Sequence, residues 1–269
     1  MKKKGKIVLI VAAAVLVLAL LGGLIFIGAA WRIGPFGFLR DIYLRKLPGN
    51  AEAYHLENVE PLTESPLAGK RICFLGSSVT NGDASLNVSF ADYIPLRNGC
   101  TYVKEAVGGT TLVDNGETSY IQRMLRNIGT DEHFDAFICQ LSTNDATQNI
   151  PMGTISEGTE RSDFDTATVA GAMEYIICYA RETWNCPIIF YTGTKYDSAQ
   201  YAEMVEFLYA LQEKWDIGII DLWNNEEMNA VSKEDYKFYM ADSIHPTQAG
   251  YLLWWTPVME QYLYETIGD

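Results

Sequence analysis

The chain begins with lysines at positions 2, 3, 4 and 6 and then runs without a charge from Ile7 to Ala30. That run holds 24 residues, more than the about 20 a helix needs to cross a bilayer. It is apolar on every side, as a lipid-facing helix is. A cleaved signal peptide has an apolar core of only about 7 to 15 residues, so a retained anchor over 7–30 is expected, although Ala29 and Ala30 are small enough for a peptidase. Residues 1–6 form its basic leader. The stretch after it mixes Gly, Pro, aromatic and basic residues, as at a membrane interface, and residues 31–70 read as a juxtamembrane linker.

From Arg71 the pattern changes to short apolar runs alternating with longer amphipathic ones. RICFLG, YVKEAV, FDAFICQLS, PIIFYTG and IGIIDL have the length of buried strands, and most are followed by Gly, Ser, Thr or Asn. FDTATVAGAMEYIICYARETW, SAQYAEMVEFLYALQEKW and GYLLWWTPVMEQYLYETI carry apolar residues at helical spacing. Trp254 and Trp255, in the last of these, read as core. Strand and helix in repetition imply right-handed crossovers and a parallel sheet covered on both faces. The expected fold is an α/β three-layer α/β/α sandwich on a five-stranded parallel sheet, filling a domain from 71 to 269 and preceded by one transmembrane helix.

Charge narrows the functions. The chain carries a formal −14, and residues 47–269 alone hold 12 Lys and Arg against 33 Asp and Glu, a net of −21. Nucleic-acid binding needs clustered cations to neutralise phosphates, so no nucleic-acid partner is expected. Around the anchor the bases nearly balance, with four lysines before it and Arg32, Arg40, Arg45 and Lys46 after it. The compact lysine cluster favours the N-terminus inside, which makes a single-pass protein with its domain outside the cell. The five cysteines form no C-x-x-C pair, so neither a zinc site nor a disulfide framework is indicated. No metal or organic cofactor is implied.

Ligands of open parallel sheets bind at the carboxyl ends of the strands. There the chain places GSSVT after the first strand, GGTT after the second, STND after the third, and DSIHP near the C-terminus. A serine nucleophile needs a base, commonly a histidine steadied by a carboxylate. Of the three histidines, His55 lies in the linker and His133 precedes the third strand, at the wrong end of the sheet. His245 remains, with Asp242 three residues before it. Gly76 allows a tight exit from the first strand into the paired Ser77 and Ser78. Position 80 is Thr, so the G-x-S-x-G elbow of an α/β-hydrolase is missing.

In order and spacing, these four blocks resemble those of the SGNH (GDSL-type) hydrolases, over about Arg71 to Asp269. The resemblance implies a flavodoxin-like sheet, esterase activity and Ser78 as nucleophile, with Asp242 and His245 completing a triad. It also implies an oxyanion hole made of the backbone N–H groups of Ser78 and Gly109 and the side-chain amide of Asn144, with Asp145 ordering its loop. Ser77, Ser142 and Ser243 stand where the family pattern has Asp, Gly and Gly. Anchoring outside the cell points to short-chain acyl esters, such as acetyl groups, on carbohydrate. A lysophospholipase or arylesterase, an O-acyltransferase and a non-catalytic glycan binder are the alternatives.

Overall fold

In the computed structural model, residues 2–30 and 34–268 are described, and the chain divides into two compact units at Leu47 and Pro48. The first contains α1 (Lys2–Ala30) and α2 (Gly37–Leu44). Within α1, Ile10–Gly28 is long and apolar enough to cross a membrane, and the side chains from Ile10 to Ile27 stand exposed.

The second unit is built on five parallel strands. In chain order it comprises β1 (Arg71–Gly76), the one-turn α3 (Ser78–Asn81), α4 (Phe90–Asn98), β2 (Thr101–Ala106), α5 (Tyr120–Asn127), β3 (Ala136–Gln140) and α6 (Thr143–Thr147). There follow α7 (Val169–Trp184), β4 (Ile188–Tyr191), α8 (Ala199–Trp215), β5 (Gly218–Ile220), α9 (Glu226–Asn229), α10 (Lys233–Tyr239) and α11 (Thr256–Ile267). The strand order is β2-β1-β3-β4-β5, with Phe74 opposite Ile138 and Lys104. This is the expected sandwich, with β1 as expected and the other four strands trimmed or shifted by a residue or two.

The strands sort their side chains by alternation. Cys73, Leu75, Phe137, Cys139 and Phe190 face a core closed by α5, α7 and α8. Ile72, Phe74, Ile138, Ile189 and Ile220 face a second core closed by α4 and α11. Strands β1, β3 and β4 are buried on both faces, which is why they read as unbroken apolar runs. All five cysteines are free thiols. Burial raises those of Cys73 and Cys139 far above the ordinary value, so both act as packing groups.

Two expectations change. The segment 48–70, read as part of a linker, is fastened to the domain as a strap. Asn50 is buried, donates to Ala84 O at 2.9 Å and accepts from Gln248 N at 2.8 Å. The Tyr93 hydroxyl donates to Tyr54 O at 2.6 Å, and Leu67 is fully buried. The paired tryptophans also part company. Trp255 lies inside the core, stacked on Phe90 with ring centroids 6.3 Å apart, whereas Trp254 is half-buried at the surface and stacks on Tyr239.

Candidate active site

Chain exit from β1 is confined to glycine, because a Cβ at Gly76 would overlap the Thr80 side chain. Ser77 then stands at the N-cap position of α3, without a side-chain capping bond, and Ser78 is the helix's first residue. Gln140, the last residue of β3, pins this turn: its Oε1 accepts from Ser77 N at 2.9 Å and from Thr80 Oγ1 at 2.9 Å. The Tyr191 hydroxyl meets Thr80 Oγ1 at 2.6 Å, and the Tyr251 hydroxyl donates to Val79 O at 2.6 Å. Residues from β3, β4 and the C-terminal segment thus hold Ser78 at the carboxyl edge of the sheet.

Opposite Ser78 sits the loop between α10 and α11. An isolated bridge between Met240 and Pro246 closes it, with Ala241 N donating to His245 O at 2.9 Å. His245 Nε2 lies 2.8 Å from Ser78 Oγ, and His245 Nδ1 lies 2.9 Å from both oxygens of Asp242. With a proton on Nδ1, Nε2 is free to accept from the serine hydroxyl. Asp242 Oδ1 also accepts the backbone N–H groups of Ile244 and His245, each at 2.8 Å. Burial opposes its charge, but the hydrogen bond and charge of His245 and the two backbone donors prevail, lowering the carboxyl to about 2. The structure brings His245 to Ser78; His55 faces Glu57 on the strap and His133 lies exposed ahead of β3.

The remaining expected residues come from two facing loops. Ser142 caps α6 by accepting from Asn144 N and Asp145 N. One N–H of the Asn144 amide donates to Thr110 O at 2.8 Å, leaving the other for a further acceptor. Asp145 is fully buried and accepts from Leu112 N at 2.8 Å and Val113 N at 3.3 Å. Burial raises its carboxyl, against the pull of Ser142 and those backbone donors. Its place is therefore structural, tying α6 to the loop after β2. In that loop Gly109 has φ +80°, a conformation that favours glycine. At Gly108 a Cβ would run into the Asp83 carboxylate.

Two buried polar residues of this edge escaped the sequence reading. Gln140 is the one, and its signal was a polar amide ending an otherwise apolar strand. The other is Arg123, which donates to Gly76 O at 2.7 Å, to Thr110 Oγ1 at 3.1 Å and to Glu105 at 2.9 Å. It links the serine turn to the glycine loop, and a cation on the apolar stripe of α5 was its trace. The long loop 148–163 is tied down on α7 and α8. Lys214 holds Ser156 O and Gly158 O there, and Glu174 accepts from Ser156 N. Among the described residues, no group of His, Cys, Asp or Glu is arranged to hold a metal ion.

Solved structures share this fold. A protein from Bacteroides ovatus assigned to the GDSL-like lipases superposes with a TM-score of 0.57 at 19% identity, covering 74% of this chain and all of its own. An acetyl xylan esterase gives 0.51 at 12% identity, covering 73% of this chain and 99% of its own. A family two carbohydrate esterase from Clostridium thermocellum, in complex with cellohexaose, gives 0.54 at 11% identity, covering 78% of this chain and 66% of its own. No curated protein matches the sequence. The family model of the GDSL-like lipases and acylhydrolases matches residues 74–253, from β1 to the approach of α11, and the chain belongs to that family.

Proposed function

We propose that this chain is a membrane-anchored serine esterase, facing outward from the cell, that removes short acyl groups from carbohydrate. The observation that carries the reading is the continuous hydrogen-bond chain from Ser78 Oγ through the His245 imidazole to the Asp242 carboxylate. In the reaction, Ser78 Oγ attacks the ester carbonyl carbon while His245 Nε2 takes the hydroxyl proton. Asp242 stabilises the imidazolium. The N–H groups of Ser78 and Gly109 and the free amide N–H of Asn144 receive the negative oxygen of the tetrahedral intermediate. Collapse expels the alcohol, which leaves with the proton from His245. Water then attacks the acyl-serine with His245 again as base, releasing the acid and restoring Ser78.

The carbohydrate half of the reading is supported by the likeness in fold to an acetyl xylan esterase and a cellohexaose-bound carbohydrate esterase. The apolar run of α1 supports the anchor.

The test is hydrolysis of p-nitrophenyl acetate, butyrate and octanoate by the full chain in neutral detergent. Acetate is expected to be the best substrate, and Ser78→Ala or His245→Ala to lower kcat about ten-thousand-fold or more. Preference for octanoate would replace the carbohydrate ester with a lipid one. Equal, negligible rates in all three proteins would reduce the chain to a binding protein.

A further inference from the structure

A groove of opposite character opens on the strongly acidic domain. Lys195 lies on the loop after β4, its backbone N–H held by Asn229 Oδ1 at 2.9 Å. Asn229 itself is fixed after β5 by the carbonyls of Leu222, Trp223 and Asn225. On α10, Lys233, Tyr236 and Lys237 stand at i, i+3 and i+4 and so share one face. With Trp254, these residues line a groove of about 370 Å³. Trp254 meets Tyr236 edge-on at 6.4 Å between ring centroids and stacks on Tyr239 at 5.5 Å. The floor is aromatic and the rim is cationic.

The pairing of the domain's cations makes the groove distinctive. Of the 12 Lys and Arg beyond residue 47, Lys70, Arg71, Arg97, Lys104, Arg123, Arg126, Arg161 and Lys214 pair with carboxylates. Arg181 holds the Trp215 carbonyl. The other three are Lys195, Lys233 and Lys237. Among the described residues no carboxylate pairs with their ammonium groups, and all three line the same groove. Of the acids on α10, Asp235 is occupied at the helix N-cap by the Ser232 hydroxyl at 2.7 Å.

The groove adjoins the candidate active site. Helix α10 ends at Tyr239 and the Asp242–His245 loop follows directly. Met240 N donates to Tyr236 O at 2.8 Å, so the last turn of the helix leads from Tyr236 straight into that loop.

We propose that this groove is a subsite for an anionic sugar, with a uronate carboxylate held by Lys195, Lys233 and Lys237 and the sugar ring resting on Trp254 and Tyr236. Its consequence is that the substrate is an acidic glycan. Three neighbouring ammonium groups repel one another, and an anion relieves that repulsion. The aromatic floor suits the apolar face of a ring that also carries polar edges. A glycerophosphate headgroup has the charge but no ring to rest on Trp254 and Tyr236. The inference takes its substrate role from the esterase reading; binding itself rests on the groove alone.

The experiment measures binding of tri-galacturonate and of neutral cellotriose to the full chain in neutral detergent, carrying Ser78→Ala so that no turnover is needed. Tri-galacturonate is expected to bind, less tightly as ionic strength rises, and cellotriose not to. The double variant Lys233→Ala/Lys237→Ala should weaken tri-galacturonate about tenfold, the size of two exposed ion pairs. Lys233→Arg/Lys237→Arg should stay within a few-fold of the parent. Equal binding of both sugars, no effect of the alanine pair, or equal losses in the alanine and arginine pairs would overturn the subsite. Displacement of tri-galacturonate by phosphatidylglycerol vesicles would overturn it in favour of a lipid headgroup. The esterase reading stands or falls separately, on p-nitrophenyl acetate turnover by the unsubstituted chain.

Discussion

Asp242 is half-exposed, yet it keeps its charge into strong acid because three N–H groups point at it, two from the backbone and one from the His245 ring. Its carboxyl falls from 3.8 to about 2 on folding. A lowered carboxyl means that the unfolded chain binds the proton more readily than the folded one. The contribution of Asp242 to stability is therefore present in full above about pH 4 and disappears as pH falls through about 2. Acid unfolding followed by circular dichroism should show Asp242→Asn less stable than the parent at neutral pH. The gap should close toward pH 2, and a gap unchanged over that interval would mean that the carboxylate is not stabilised by these donors.

At the scale of elements, the strap over 48–70 joins the two halves of the candidate site. Asn50 reaches Ala84, in the loop beyond α3, and Gln248, three residues after His245. Gln248 in turn donates to Ser85 O at 3.2 Å. Replacing Asn50 with Ala orphans a buried carbonyl and a buried N–H, at a cost of about 2 kcal/mol. For a domain of this size that lowers Tm by about 4–8 °C. A chain starting at Pro48 should keep the melting temperature of the parent's globular unit, whereas one starting at Val59 should melt far lower. Equal melting of the two truncations would show the strap to be dispensable.

For the whole molecule, the informative contrast is between a leader with four lysines and a domain at −21. The charges flanking α1 nearly balance, so the proposed outward orientation of the domain rests on the compactness of the lysine cluster. Protease added to intact cells should digest the domain while sparing the lysine end. A domain protected until the cells are opened would reverse the topology and, with it, the case for an external glycan.

The sequence by itself determined the five strands, the helices α7, α8 and α11, the apolar run of α1 and the family. Each is written in local periodicity or in short blocks at the strand ends, and strands buried on both faces leave an especially plain trace. Ser78 and His245 were readable as candidates because serine and histidine chemistry demands those residue types; their approach to 2.8 Å across 167 residues of sequence is tertiary. The strap was not legible, since short turns of mixed polarity have no period and Asn50 is buried only by partners 34 and 198 residues away. Nor were the different places of Trp254 and Trp255, because adjacent positions on a helix point about 100° apart and packing alone selects which one faces the core. The lysine groove is the same case at larger scale. Lys195 and the α10 pair come from separate segments, and only the order of the strands sets those segments side by side.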